Sequence, residues 1–175
     1  MASSIGKVVI LGTGGTIAGT AGSAGDNVGY AAAQIGVAQL VAAVPALVAL
    51  TIEAEQVAQV DSKDMSWAIL RRLAERVQAQ LDRDDVAGVV VTHGTDTLEE
   101  TAYALHCVLR TNKPVVLTAA MRPATSLQAD GPQNLLDAVT VARLAGQGGV
   151  AVVIGGRIWA GCDVRKVHSY RIDAF

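Results

Sequence analysis

This chain is poor in aromatics, proline and cysteine, and it has no basic run and no long apolar stretch. Each scarcity excludes something. Aromatics are only 3% of 175 residues, so Ala, Val and Leu must fill the interior, as suits helices packed on strands buried on both faces. Nucleic-acid binding needs a basic face, and 16 acids against 14 bases leave a net charge of −2, so no nucleic-acid partner is expected. No apolar stretch reaches the roughly 20 residues that span a bilayer, and no membrane partner is expected. Cys107 and Cys162 form no C-x-x-C pair and stand at no zinc spacing, which leaves them as small buried hydrophobes. His93, His106 and His168 show no metal spacing and are expected in structural or surface roles. Met1 to Lys7 runs straight into an apolar segment without a visible signal peptide, so the expected compartment is the cytoplasm, or the periplasm for a processed form.

What is present is an alternation of apolar runs and helical patterns. Strands are expected at Lys7 to Leu11, Leu47 to Glu53, Gln56 to Val60, Ala87 to Val91, Pro114 to Thr118 and Val150 to Ile154. Between them, Val37, Leu40, Val41 and Val44 recur at helical spacing until Pro45. Ile69, Leu73, Val77 and Leu81 line one face of a second helix that begins near Asp64. Two more helices are expected from Asp96 to Arg110 and from Pro132 to Ala145. This β-α-β order argues a doubly wound α/β fold, a mostly parallel sheet with helices on both faces. Thr13 to Ala33 is a long Gly-, Ala-, Ser- and Thr-rich loop, and loops of that length inside compact domains are usually functional or mobile. Lys166 to Phe175 offers neither a helix nor a closing strand.

Two hydroxyl-rich blocks follow apolar strands directly, Thr13-Gly14-Gly15-Thr16 after Val8 to Leu11 and His93-Gly94-Thr95-Asp96-Thr97 after Val89 to Val91. In open α/β sheets ligands bind at the strands' carboxyl ends. The first block is not a dinucleotide fingerprint, because the third glycine of G-x-G-x-x-G would fall at Ile17. It is not a phosphate-binding P-loop either, because no Gly-Lys-Ser/Thr follows. Bare glycines can instead let a carbonyl approach backbone N–H groups, as an oxyanion hole requires.

Thr16 then reads in two ways, as a turn hydroxyl bonding its own backbone or as a nucleophile activated by a neighbour. Asp96 either caps a helix or holds a substrate ammonium. Lys166 is a solvated surface lysine unless the Gly161-to-Val164 turn folds back to the same edge, where a lysine with a lowered pKa can act as base for Thr95. Tyr30 is an amphipathic loop anchor or, with the loop closed, a proton partner of a threonine.

Taken together, the blocks resemble the bacterial L-asparaginase and glutaminase-asparaginase family from Lys7 to Phe175. Thr13 to Gly19, Val91 to Tyr103 and Ala120-Met-Arg-Pro123 carry the likeness, extended by Ala129-Asp-Gly-Pro132 and Gly161 to Lys166. The resemblance implies the family's N-terminal catalytic domain over residues 1–175, with a smaller C-terminal domain not included in these residues. It implies Thr16 as primary nucleophile, Tyr30 as the loop tyrosine that approaches it, and Thr95, Asp96 and Lys166 as a second triad. Ser62 and Asp96 match contacts to a substrate's α-carboxylate and α-ammonium. The implied reaction is hydrolysis of the side-chain amide of L-asparagine to L-aspartate and ammonia through a β-aspartyl ester, with no cofactor. A glutamine-preferring or tRNA-linked amidase and an amino-acid sensor without turnover are the alternatives. The implied assembly is a homo-oligomer, a tetramer of close dimers.

Lys63 departs from the family pattern, standing where many members carry glutamine beside the substrate's amino group. At about 4 Å its ammonium would repel a substrate ammonium by about 1 to 4 kcal/mol at dielectrics of 80 to 20. Either Lys63 turns outward or it pairs with an acid.

Overall fold

The computed structural model describes residues 6–144, 146 and 148–175. Its sheet has six strands in the order β2-β1-β3-β4-β5-β6. They are β1 (Lys7–Gly14), β2 (Ile52–Val60), β3 (Val86–Thr92), β4 (Pro114–Thr118), β5 (Gly149–Ile154) and β6 (Arg157–Ala160). The first five are mutually parallel, and β6 runs antiparallel to β5. Four helices connect them: α1 (Val37–Ala42), α2 (Trp67–Leu81), α3 (Leu98–Val108) and α4 (Gly131–Ala142).

The β-branched runs form strands buried on both faces because successive side chains point opposite ways. Val9 and Leu11 of β1 join Val89 and Val91 of β3 and Leu117 of β4 in one core, under Leu73, Val77 and Leu81 of α2 and Leu98, Ala102 and Leu105 of α3. Val8, Ile10, Val90 and Val116 face the other core, under Val37 and Leu40 of α1 and Leu135, Ala138 and Val139 of α4. The fold is therefore the doubly wound sheet that the alternation implies.

Several expected details differ. Leu47 to Glu53 and Gln56 to Val60 are not two strands but one, Ile52–Val60, with Leu47 in a 3-10 turn at Pro45–Leu47. Glu53 and Glu55 are accommodated within the one strand because β2 is an edge strand. Glu53 pairs with Lys7 and Arg83, and Glu55 pairs with Arg76. The Gly-rich turn after β5 closes a hairpin, since Gly155 and Gly156 have φ of 60° and 71°, as a two-residue type I′ turn demands. That makes β6 a strand the apolar pattern does not announce.

The second helix starts at Trp67 rather than near Asp64, because Ser66 caps it by accepting from the Ile69 N–H at 3.3 Å. Ser62–Asp64 forms a separate 3-10 turn. The helix expected from Pro132 is seen at Gly131–Ala142; Ala145, its expected end, and residues 1–5 lie outside the described residues. Cys107 and Cys162 are exposed free thiols, not buried, one near the end of α3 and the other in the turn after β6.

Candidate active site

The sheet order places the switch point between β1 and β3, where the chain's connections leave in opposite directions and a crevice opens. Both hydroxyl blocks end there. Thr13 is not part of the crevice chemistry: its hydroxyl is buried and donates to the Thr92 carbonyl at 2.9 Å, tying β1 to β3. The two turns beyond it meet back to back. A Cβ on Gly15, whose φ is 80°, would lie 2.3 Å from Gly94 Cα, so only glycine permits this approach. Thr16 follows one glycine and Thr95 the other.

Around them lies a cavity of about 200 Å³ lined by Thr16, Tyr30, Thr95, Asp96 and Lys166, together with Asn27, Val28, Met121, Ser169 and Tyr170. Thr16 Oγ1 and Tyr30 Oη are hydrogen-bonded at 2.7 Å. Tyr30 arrives because the loop from Thr20 closes on itself, Thr20 and Ala31 exchanging backbone hydrogen bonds at 2.9 Å. Lys166 Nζ donates to Thr95 Oγ1 at 2.9 Å and to Asp96 Oδ1 at 2.8 Å. The Gly161-to-Val164 turn does fold back: Gly161 N–H donates to Val150 O, and Asp163 and Val164 N–H both donate to Ala160 O. The Lys166 N–H is then received by the Glu99 carboxylate on α3.

Ser62 is buried and lies outside the cavity wall. Its Oγ accepts the Asp96 N–H at 3.1 Å and its carbonyl accepts the Thr97 hydroxyl at 2.8 Å, so it holds the Thr95–Asp96 turn from behind. Lys63 faces solvent, its ammonium 2.7 Å from Asp64 and 3.2 Å from Asp61. These two carboxylates, Asp64 foremost, raise its pKa and keep it charged. Asp96 makes no helix-cap hydrogen bond, and its Oδ1 accepts from Lys166.

His93 is the buried post beneath the second turn. Its Nδ1 donates to the Gly94 carbonyl at 2.8 Å, which leaves Nε2 to accept from the Thr101 hydroxyl at 3.0 Å. Burial pushes its pKa down to about 4, so it is a neutral structural ring. His106 and His168 are exposed.

The other motif blocks shape the wall. Asp130 accepts the Met121 and Arg122 N–H groups at 3.0 and 2.9 Å, fixing the turn after β4 and with it Met121. Arg122 is buried, donates to the Tyr170 carbonyl at 2.7 Å and lies 4.2 Å from the Tyr170 ring centre. This clamp sets Tyr170 and Ser169 against the cavity. Met121 lies in the Ala120-to-Pro123 block without a site role read from it, while Asn27, Ser169 and Tyr170 lie in none of the blocks. The usable signals were adjacency to Lys166 for Ser169 and Tyr170, and an amide three residues before Tyr30 for Asn27.

Two hydrogen-bonded couples, Thr16 with Tyr30 and Thr95 with Lys166, thus share one small cavity with a carboxylate at its rim. Such a site can attack a carbonyl carbon and move protons on either side of it. Among the described residues, no three or more His, Cys, Asp or Glu side chains converge as metal ligands would.

Residues 7–175 match the family description "Asparaginase, N-terminal". The chain belongs to the asparaginase family. L-asparaginase 2 of Bacillus subtilis is 44% identical over 172 residues, covering 97% of this chain and 46% of that protein. The glutaminase-asparaginase of Pseudomonas fluorescens is also 44% identical, over 99% of this chain and 49% of its own length. The crystal structure of a probable cytoplasmic L-asparaginase from Campylobacter jejuni superposes with a TM-score of 0.93 at 45% identity, over 97% of this chain and 52% of that one. The chain spans about half the length of these asparaginase-family relatives.

Proposed function

We propose that the protein hydrolyses the side-chain amide of L-asparagine to L-aspartate and ammonia, and that these residues form its N-terminal catalytic domain. The convergence of the Thr16–Tyr30 and Thr95–Lys166 couples on one cavity carries this reading. Thr16 Oγ1 attacks the amide carbon, its proton passes to the departing nitrogen, and ammonia leaves a β-aspartyl ester. Water then adds to the ester carbon, one of its protons passes through the Thr95–Lys166 couple to Thr16 Oγ1 as the Thr16–acyl bond breaks, and L-aspartate leaves. Backbone N–H groups, Thr95 N–H among them, hold the oxyanion, a contribution of about 3–4 kcal/mol per donor in other enzymes. Two relays, Tyr30 and the Thr95–Lys166 couple, compete for the Thr16 proton.

Asp96 binds the substrate ammonium with the lone pairs not given to Lys166. The Ser62 hydroxyl proton, free after Oγ accepts from Asp96 N–H, is assigned to the α-carboxylate, which requires the substrate to reach past the cavity wall to this buried side chain. Lys63, turned to its own carboxylates, supports neither contact. Glutamine is a second substrate in this reading, favoured by the similarity to glutaminase-asparaginases. The same reading places the protein in the cytoplasm, where the C. jejuni relative is described, and in a homo-oligomer, a tetramer of close dimers. The exposed Trp67, Val108 and Leu127 are apolar surface such contacts would cover.

Ammonia release from asparagine and glutamine by the full-length protein, beside its Thr16→Ala variant, tests the reading. Loss of at least about a thousandfold in kcat is expected for Thr16→Ala. Unchanged turnover rejects Thr16 as nucleophile, and a wild-type protein that releases no ammonia rejects the activity.

A further inference from the structure

The loop that brings Tyr30 to Thr16 also brings Asn27 to the same cavity. Asn27 Oδ1 lies 2.6 Å from Ser126 Oγ, in the segment after β4. Such a separation belongs to an O–H···O hydrogen bond and is short for an N–H···O bond. The rest of the Ser126 hydrogen bonding agrees. Its Oγ already accepts the Gln128 N–H at 3.1 Å, and Ser126 is buried. With the Asn27 amide turned round, the hydroxyl oxygen would accept twice and its proton would have no acceptor among these contacts. The Ser126 hydroxyl therefore donates to Asn27 Oδ1 and fixes which way the amide faces.

What is left over is the Asn27 NH2 group, a pure donor at the wall of a site otherwise rich in hydroxyls. We infer that Asn27 is a specificity-determining residue: its Nδ2 donates to a carbonyl or carboxylate oxygen of the bound amino acid, and Ser126 is the positioning residue that sets the amide's orientation. This rests on the amidohydrolase reading and adds a substrate contact to it. The loop that carries Asn27 is held in place by bonds of its own. Thr125 Oγ1 accepts the Ala21 N–H at 2.9 Å, Gly19 O accepts the Ala124 N–H at 2.9 Å, and Ala24 O accepts the Leu127 N–H at 3.1 Å. Loss of the Asn27–Ser126 bond alone thus leaves the loop attached and frees only the amide.

The test is steady-state kinetics on asparagine, with L-aspartate as competitive inhibitor, for the full-length wild type and the variants Asn27→Leu, Asn27→Asp, Ser126→Ala and Asn27→Leu/Ser126→Ala. Removing one donor to a charged or desolvated oxygen should raise KM and the aspartate inhibition constant about ten- to a hundredfold, with kcat within about threefold of wild type. Asn27→Asp keeps the shape but sets a carboxylate against the ligand's oxygens, so its loss should exceed that of Asn27→Leu. Ser126→Ala should raise KM severalfold in the wild-type background and leave it unchanged in Asn27→Leu, because the two residues act as one unit. An unchanged KM in Asn27→Leu overturns the inference. So does a parallel fall of kcat in Asn27→Leu and Asn27→Asp, the mark of a loop-ordering role, and so does additivity in the double variant. A wild-type enzyme that is active while Asn27→Leu matches it refutes this contact alone. An inactive wild type refutes the amidohydrolase reading and the contact with it.

Discussion

Gly15→Ala puts the back-to-back glycine contact under direct test. The added Cβ would stand 2.3 Å from Gly94 Cα and 2.4 Å from Gly94 N, both backbone atoms that cannot rotate away. Carbon atoms in ordinary contact sit about 3.5–4.0 Å apart, so the two turns must separate by more than about 1 Å. The residue would also have to hold φ at 80°, in the left-handed region, at a cost of about 1–2 kcal/mol. Overpacking adds about 1–3 kcal/mol, for a total of about 2–5 kcal/mol. For a domain of this size that lowers Tm by about 5–20 °C. The turnover effect should be larger in proportion, because a displacement of about 1 Å between reacting groups costs about a hundredfold in rate. Thermal unfolding and ammonia release, measured side by side, check both numbers. Gly22→Ala is the control: no atom lies within 4 Å of its added Cβ, and a change within about 0.5 kcal/mol is expected. A Gly15→Ala protein with wild-type Tm and wild-type kcat would refute the claim that this contact assembles the site.

Two further outcomes follow from the electrostatics. His93 has its folded pKa pushed down to about 4, below the usual 6.5, so the unfolded chain binds the extra proton between those values. Stability contributed by the neutral ring is therefore fully present above about pH 6.5 and is lost as the pH falls towards 4, by at most about 3 kcal/mol. Urea unfolding at pH 7 and pH 5 should show this slope in the wild type and a shallower one in His93→Gln. Lys63→Ala removes only two surface ion pairs, to Asp61 and Asp64, so KM for asparagine should stay within about twofold and stability within about 1 kcal/mol. A tenfold change in KM would mean that Lys63 turns into the cavity when substrate binds.

The parts of the fold legible in the sequence are those written in local patterns. The β-branched runs of β1, β3, β4 and β5 and the Leu73, Val77 and Leu81 stripe of α2 announce themselves, because burial on two faces or on one demands them. β2 does not, since its Glu53 and Glu55 are offset by Lys7, Arg76 and Arg83 from elsewhere in the chain. The exposed thiols show the limit of average burial tendencies: Cys107 follows the exposed His106 and precedes the exposed Val108 at the open end of α3. In the site, Thr16, Thr95, Asp96 and Lys166 are traceable to ordered motif blocks, and Tyr30 to its place in the long loop ahead of the Val37 to Val44 helical pattern. Asn27 and Tyr170 are not, because Asn27 is directed by a bond to Ser126 and Tyr170 by the Arg122 clamp, 99 and 48 residues away in the chain.

The two hydroxyl couples belong to different layers of the molecule. Beyond Thr16 the chain enters the core under α1 and α4 through Ile17 and Ala18. Beyond Thr95 it enters the opposite core, under α2 and α3, through Leu98. The layers are separated by the sheet, and at this site Gly15 meets Gly94. Lys166 reaches Thr95 from the far edge of the sheet, on a segment anchored by Val164, Ala174 and Phe175 in the α2–α3 core. Packing changes under α1 or α4 therefore bear first on Thr16, while changes under α2 or α3 bear first on Thr95 and Lys166. The loop bearing Tyr30 is tied to the Thr16 side of the site through Ala33 N–H, which donates to the Gly15 carbonyl, whereas Lys166 is tied to the Thr95 side through Glu99 of α3. The Gly15–Gly94 contact registers the two layers to one another, and so the smallest residue in the chain sets the distance between the Thr16 and Thr95 turns.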